Sequence, residues 1–454
     1  MKLDRMGIAR FSFTVGVAAC SEAATKNGGD SGDTPPEAAV EAGPNDAGPG
    51  NAGSGDSGID ANVAKGTAQI SVGGDHSCAL SAQGKVRCWG FNGFGQLGYG
   101  HTTNIGDDET PASAGDVSVG GTVTQLALGF NHTCALLTSG KVRCWGDNKR
   151  GQLGYGNTNA VGDDEKPDTA GDVDLGGNAI QIAAGDEHTC ALLSTGSVRC
   201  WGNNWNGQLG YGHTKVIGDD EKPASASVVD LGSGTVTQIA LGAYHSCALL
   251  STGSVRCWGS GFWGTLGYGN RNAVGDDEAP VTAGDVKLGA PATRIAAGGW
   301  VTCAQISGGI MCWGSNDRGQ LGMPEYDSIG DDETPSEAGK VKIPDVTVDD
   351  ISVGEKFVCV RLTDGKVRCW GNNGYGQLGL GSKSQQSSAS SSTELDVGFS
   401  VAHASAGWLH ACAISVAGDV KCWGVASSGQ LGYANTESIG DDEKPSSVGN
   451  VAVW

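Results

Sequence analysis

Seven pairs of cysteines are the residues of this 454-residue chain whose type and spacing most directly permit chemistry. The two members of a pair are ten residues apart in six cases and nine apart in one, and Trp-Gly follows each second cysteine. The pairs are Cys78–Cys88, Cys134–Cys144, Cys190–Cys200, Cys247–Cys257, Cys303–Cys312, Cys359–Cys369 and Cys412–Cys422. Even pairing at a fixed spacing is typical of disulfides formed in an oxidising compartment.

The spacing within each pair matches the geometry of a β-hairpin. A separation of ten fits a three-residue loop with the cysteines directly opposite, and the separation of nine in Cys303–Cys312 fits a two-residue loop. Each bridge would close a loop of about ten residues and add roughly 2–3 kcal/mol at most. Buried free thiols are the alternative, and a metal site is another, although zinc needs four ligands and each unit offers two cysteines and at most one histidine.

The elements that must position these cysteines recur about every 56 residues, which indicates one supersecondary unit copied seven times. In the third unit, residues 172–175 and 180–184 predict one hairpin, and residues 188–193 and 197–201 predict a second. We therefore expect an all-β, seven-bladed β-propeller over residues 65–454, with about four antiparallel strands per blade. The repeated tryptophans predict the core between blades, and residues 448–454 are expected to complete the first blade.

The repeating unit resembles the regulator of chromosome condensation repeat. The resemblance rests on Gly-x-x-His-Thr-Cys-Ala-Leu, on Thr-Gly-x-Val-Arg-Cys-Trp-Gly-x-Asn and on Gly-Gln-Leu-Gly-Tyr-Gly, and it covers all seven units. It implies a seven-bladed β-propeller. The founding member is a nuclear exchange factor for a small GTPase that also binds chromatin, whereas a secreted bacterial inhibitor of β-lactamase in the same propeller class binds through loops on one face.

The amino terminus predicts export. Residues 1–20 read as a signal peptide with a lipobox ending at Cys20, which is lipidated in bacterial lipoproteins; an ordinary signal peptide with a chance cysteine is the alternative. Residues 21–64 are an acidic Gly/Pro/Ala-rich stretch with no aromatic residue, which predicts a disordered linker. We expect an outer-membrane lipoprotein or cell-surface protein, alternatively a periplasmic or secreted one.

The net charge of −21, from 29 basic and 50 acidic side chains, argues against nucleic-acid partners, which require basic stripes. No run of 18 apolar residues is present, so a lipid anchor would be the means of membrane attachment. A monomer is expected.

Two segments vary among the seven units, and antiparallel connectivity places both at the same end of each blade. They carry the large aromatic residues that we predict to contact a partner: Phe94, Phe130, Trp205, Tyr244, Trp263, Trp300, Tyr375 and Trp408. Packing of these rings in the mouth of the propeller, or on neighbouring loops, is the alternative. The predicted function is a non-catalytic scaffold that recognises a protein or glycan partner. A propeller lyase or hydrolase with a site at the central channel is the alternative, and guanine-nucleotide exchange by family analogy is a third.

No catalytic or metal-binding residue is predicted, and no cofactor. The motif Gly-Asp-Asp-Glu recurs in six units, for example at residues 106–109 and 162–165, and its carboxylates could hold calcium, although solvated loops are expected. Five histidines occupy one position of the repeat and are expected to be hydrogen-bonded structural residues. They are His76, His132, His188, His245 and His410.

Overall fold

A computed structural model of the chain describes residues 66–344 and 346–454, which form seven antiparallel sheets of three strands. The first three are β1 Thr67–Val72, β2 His76–Ser81, β3 Val86–Gly90; β4 Val123–Leu128, β5 His132–Leu137, β6 Val142–Gly146; β7 Ala179–Ala184, β8 His188–Leu193, β9 Val198–Gly202. The next two are β10 Val236–Leu241, β11 His245–Leu250, β12 Val255–Gly259; β13 Ala292–Gly298, β14 Val301–Ile306, β15 Gly309–Gly314. The last two are β16 Val348–Val353, β17 Phe357–Leu362, β18 Val367–Gly371; β19 Val401–Ala406, β20 His410–Ser415, β21 Val420–Gly424.

Short helical turns occur in the segments that follow the third strands of the sheets. The α-helical turns are α1 Pro111–Ala114, α2 Pro167–Ala170 and α3 Pro335–Ala338. The 3₁₀ turns are Pro223–Ser225, Phe262–Gly264, Pro280–Ala283, Ala389–Ser391 and Pro445–Ser447. Among the residues described, no helix has both the length and the apolar character needed to cross a membrane.

The sheets stack as blades because both of their faces are apolar. In β8 all six residues are buried, and Trp201, which follows Cys200 on β9, is fully buried between two blades. The indole Nε1 of Trp201 donates to the carbonyl oxygen of Gln152 in the preceding blade at 2.9 Å. All seven repeated tryptophans make this bond to the blade before them, in agreement with the predicted core between blades.

The seven predicted cysteine pairs are disulfides in the structure. Cys78 and Cys88 lie directly opposite on β2 and β3 with their Cα atoms 4.0 Å apart. Cys303 and Cys312 are also opposite, because the turn before β15 is one residue shorter. The two cysteines of a pair therefore stay opposite each other even when the turn between their strands is one residue shorter.

The third-unit hairpin predicted at residues 172–184 is wrong. The backbone N–H of Val173 donates to the carbonyl oxygen of Val142 at 2.8 Å, so residues 172–175 run along β6 of the preceding blade, while β7 begins the next sheet. In the first blade, the N–H of Val117 likewise donates to the carbonyl oxygen of Val86 on β3. Each blade thus has three regular strands and a short outer segment beside the third strand, and the outer segment of the second blade is residues 172–175, which the sequence analysis grouped with the third unit.

The ring closes between the seventh and first sheets, where β1 packs against β19 and β20. The expectation that residues 448–454 complete the first blade is wrong, since the N–H of Val451 donates to the carbonyl oxygen of Val420 on β21. The terminus still touches the first blade: Arg87 donates to the carbonyl oxygen of Val453 at 2.7 Å, and the Trp454 indole donates to Thr67 at 2.9 Å. Every blade is therefore built from contiguous sequence.

The predicted signal peptide, the lipidation of Cys20 and the linker at 21–64 fall on residues outside those that the structure describes.

Candidate functional site: the loop face of the propeller

Both variable segments emerge at one end of the blades, and we call this surface the loop face. The segments are the connections from the first to the second strand of each sheet and the loops that follow the third strand, for example residues 73–75 and 91–104. The tight turns between the second and third strands lie at the opposite end. The antiparallel order places these sets as the sequence predicts.

Seven residues of the first segment surround the axis of the propeller, and we call them the mouth ring. They are Gly74, Phe130, Asp186, Ala243, Gly299, Glu355 and Trp408. Backbone hydrogen bonds join neighbouring members: the N–H of Phe130 donates to the carbonyl oxygen of Asp186 at 3.1 Å, and that of Asp186 to Ala243 at 3.4 Å. The ring surrounds an axial cavity of about 70 Å³.

Two carboxylates of the mouth ring share this small space. Burial raises the pKa of Asp186 to about 8, and the negative charges of Glu355 and Glu187 add to that rise. Burial also raises the pKa of Glu355, partly offset by the neighbouring indole of Trp408. Tyr244 lies close enough that, after burial, Asp186, Glu187 and Glu355 each raise its pKa further. The mouth therefore holds carboxyl groups that ionise readily only beside a cation, and aromatic rings border it.

The aromatic residues predicted to bind a partner occupy this face in three different settings. Phe130 and Trp408 pack edge to face at the mouth with ring centroids 4.5 Å apart. These two rings therefore follow the alternative in which the aromatic residues pack in the mouth of the propeller. Phe94 and Trp205 are each covered by a cation of the chain itself, with Lys149 4.4 Å and Arg150 4.0 Å from the ring centroids. Tyr375 is 52% exposed.

The remaining predicted aromatics come together between the fourth and fifth blades. Tyr244 and Trp300 have centroids 5.1 Å apart, Phe262 lies 6.2 Å from Trp300, and Phe262 and Trp263 are 4.9 Å apart. Phe262 and Trp263 are 53% and 40% exposed. These four residues form the aromatic cluster, in which Phe262 was not among the predicted site residues.

The fourth-blade loop carries half of this cluster because it departs from the repeat. In the first blade the side chain of Asn92 anchors the loop by donating to the carbonyl oxygens of His101 and Thr103 at 2.7 and 2.9 Å. Gly261 stands at the equivalent position, where a Cβ would lie 2.0 Å from the carbonyl oxygen of Asn272. Trp263 adopts a φ of 61°, a conformation that side chains other than glycine seldom tolerate.

The sequence does contain one signal for Phe262. Gly261, the residue before it, replaces an asparagine that five other units have at this position, so the loop could be expected to differ there. No sequence signal pointed to Asp186 and Glu355. Each is one acidic residue in a variable segment, and only closure of the ring brings the third and sixth blades to a common axis.

The five repeated histidines are buried between blades and do not reach the loop face. Nε2 of His188 lies 3.0 Å from the hydroxyl of Ser246 in the next blade, and that hydroxyl donates to the carbonyl oxygen of Gln208 at 2.9 Å. Because the hydroxyl proton is used there, the imidazole must donate through Nε2, which leaves Nδ1 unprotonated and buried without a partner. The other four repeat this arrangement, as expected for structural residues.

The partner of each histidine changes together with it. Val301 takes the histidine position in the fifth unit and Phe357 takes it in the sixth, and the corresponding partner positions are occupied by Val358 and Ala411, all of them buried. Both members of a hydrogen-bonded pair are therefore replaced by apolar residues, which avoids an unsatisfied buried group.

The acidic motif joins adjacent blades. The N–H of Gly156 donates to the carbonyl oxygen of Gly218 at 3.0 Å, and a Cβ at Gly151 would lie 2.5 Å from the backbone nitrogen of Asp219. The motif of one blade thus packs on the Gly-Gln-Leu-Gly loop of the blade before it. The three carboxylates of each motif also lie close together. Burial raises the pKa of Glu221 to about 7, and the neighbouring Asp220 contributes to the rise.

Comparison with known proteins gives one family. The profile of the RCC1-like domain matches residues 125–453, and profiles of the regulator of chromosome condensation (RCC1) repeat match residues 68–96 and 83–136. The Ultraviolet-B receptor UVR8 of Arabidopsis thaliana is 32% identical over 376 residues, covering 81% of this chain and 79% of the receptor. The probable E3 ubiquitin-protein ligase HERC6 of Homo sapiens is 34% identical over 270 residues, which are 58% of this chain but 24% of the ligase.

Solved structures share the fold. Prp20p from Saccharomyces cerevisiae, described for its binding to Gsp1p and histones, superimposes with a TM-score of 0.63 at 22% identity and covers 80% of this chain and 86% of its own. Human WBSCR16 gives a TM-score of 0.63 at 21% identity, with 80% and 92% covered.

Proposed function

The chain belongs to the RCC1-like domain family, and on that premise we propose that it is a non-catalytic scaffold that recognises a protein partner through the loop face. The observation that carries the proposal is the contrast between the repeated scaffold and the variable loop face. The scaffold repeats almost unchanged seven times, while the loop face differs from blade to blade and exposes Trp205, Phe262, Trp263 and Tyr375. Large aromatic residues on loops of a rigid framework are typical of recognition surfaces.

Relatives in the family support a protein partner over a glycan. One relative is a receptor by name, and the structural neighbour Prp20p is described as binding Gsp1p and histones. Aromatic clusters with nearby charges also occur in sugar-binding sites, so a glycan remains an outcome of the test below.

We further propose that the propeller acts outside the cytoplasm, held by a lipid on Cys20 at the outer membrane or cell surface. The seven disulfides support this setting, because such bonds persist in oxidising compartments. The intact mass of the mature protein under non-reducing conditions tests signal removal and acylation together. A mature chain that still begins at Met1 and has all fifteen cysteines as free thiols would contradict the proposal.

Photo-crosslinking in the native host tests the partner. A crosslinker at Tyr375 is compared in the wild-type chain and in the triple variant Trp205→Ala, Trp263→Ala, Trp300→Ala. Adducts are expected to disappear in the triple variant and to persist in a control with Ile180→Ala and Val416→Ala, two exposed apolar residues outside the loop face. Equal adduct yield in all three proteins would refute recognition by the loop face.

An enzyme at the central channel is the second candidate, favoured by the paired carboxylates Asp186 and Glu355. The cavity of about 70 Å³ holds only a few water-sized groups, so a substrate would have to react at its rim. Turnover abolished by Asp186→Asn alone, with the fold intact, would establish this alternative. Nucleotide exchange by family analogy is third, and exported, processed protein would exclude it.

A further inference from the structure

We infer that the loop face takes a lysine or arginine side chain of its protein partner, held between the aromatic cluster and the carboxylates of Asp186 and Glu355. This inference rests on the proposed function and names the chemistry of the partner. It is carried by two acidic groups that line the axial cavity, by aromatic rings next to that cavity that no lysine or arginine of the described residues covers, and by the size of the cavity.

Neither carboxylate forms an ion pair within the described residues, although the indole of Trp408 and the charge of Lys356 hold the pKa of Glu355 below the value that burial alone would give. Oε2 of Glu355 is buried and accepts no hydrogen bond within the described part of the chain, and it lies over Gly299, where a Cβ would be 2.6 Å away. Among the residues described, no side chain or backbone group donates to the carboxylate of Asp186, and no cation pairs with it. Lys356, the residue next to Glu355, instead pairs with Asp317 at 2.8 Å. A cation from outside would supply what is missing.

The ring faces of the aromatic cluster are free of cations, unlike other rings of the same surface. Lys149 covers Phe94 and Arg150 covers Trp205 at distances suited to cation–π attraction. Within residues 66–344 and 346–454, no lysine or arginine covers Tyr244 or Trp300. Tyr244 and Trp300 link the cluster to the mouth, because they directly follow Ala243 and Gly299, which line the axial cavity together with Asp186 and Glu355. A partner's cation can thus meet ring faces and carboxylates in one place.

The dimensions favour a single long side chain. A cavity of about 70 Å³ has room for an ammonium or guanidinium group and its last methylene groups, but not for a strand or a sugar ring. The net charge of −21 would also attract a basic partner over a distance of about a Debye length.

The test uses octalysine as the probe, and octalysine acetylated on every Nε as its neutral counterpart. Binding to the full chain is measured by calorimetry at 150 mM NaCl. Octalysine is expected to bind, and the acetylated peptide is not. The double variant Asp186→Asn, Glu355→Gln is expected to weaken binding at least tenfold, because one side of a desolvated charge pair is removed. The single variant Glu355→Gln serves if the double variant does not fold.

The matched control is Asp230→Asn with Asp364→Asn, which removes the same charge from exposed positions at the opposite end of the propeller. Its affinity should stay within about twofold of wild type, while Trp300→Leu should weaken binding several-fold. Equal weakening in both double variants, equal binding of the acetylated peptide, or no binding of octalysine would each overturn the inference. If the crosslinks at Tyr375 still depended on the tryptophans, the loop face would stand as a recognition surface for another chemistry.

Discussion

Replacing one buried histidine pair by the apolar pair that the chain itself uses elsewhere should remove a defined share of its acid sensitivity. The variant is His188→Phe with Ser246→Ala, which reproduces Phe357 and Ala411. At pH 7.5 we expect its free energy of unfolding to lie within about 1 kcal/mol of wild type, since both partners of one hydrogen bond are replaced together.

The pH dependence follows from the imidazole. Burial, and then the nearby His245 and His132, lower the pKa of His188 from 6.5 to about 3 in the folded chain. Between those values the unfolded chain binds a proton that the folded chain does not, so acidification lowers the free energy of unfolding. In the unfolded chain the pKa of a histidine is about 6.5. One such buried histidine therefore lowers the free energy of unfolding by about 1.4 kcal/mol at pH 5.5 and by almost nothing at pH 7.5.

The measurement is urea unfolding at pH 7.5 and 5.5 with the disulfides intact, comparing the variant with wild type at each pH. The difference between them should shift by about 1.4 kcal/mol in favour of the variant on acidification. The comparison matters because carboxyls with a raised pKa, such as Glu221 and Asp186, take up protons in the folded chain and oppose the trend in the wild type. Ser246→Ala alone keeps the buried ring and should keep its pH dependence. A pH-independent difference for the double variant would refute the account of the histidines.

Three further outcomes are expected. Trp263→Gly should be more stable than Trp263→Ala by about 1 kcal/mol, because glycine accepts the φ of 61° without strain and both variants lack the ring, whereas Trp205→Gly, at a position without positive φ, should be less stable than Trp205→Ala; urea midpoints compare them. Cys78→Ala with Cys88→Ala should cost roughly 2–3 kcal/mol in the same assay, and no loss would contradict a stabilising role for the bridge. Removing divalent cations with EDTA should leave the melting temperature unchanged, and a rise of several degrees on adding calcium would show that the acidic motifs bind it.

Much of the fold was predictable because its determinants are local. The cysteine spacing and the turn between the second and third strands set the register of one hairpin, and the shorter turn before Cys312 changes both together. Grouping the remaining segments was harder. A short apolar run, a glycine turn and a second apolar run read as a hairpin at 172–184, but the same pattern also describes the step from the edge of one blade to the start of the next.

The candidate site was predictable only as a surface. The variable segments showed which end of each blade differs, and most of the aromatic residues were found in this way. The sequence did not show which of these rings pack against a cation of the chain itself. Trp205 is covered by Arg150 from another repeat, whereas no lysine or arginine of the described residues covers Trp300.

The sequence by itself determined the repeated blade, its cysteine pairs and the end at which variation is concentrated, because strand pairing and turn length act over about ten residues. Only the tertiary structure decided that Asp186 and Glu355, three blades apart, line one axial cavity together with Ala243 and Gly299, which directly precede Tyr244 and Trp300. The physical reason is closure of the ring. It converts equivalent positions in distant repeats into neighbours, and it places like charges in a space too small to hydrate them fully.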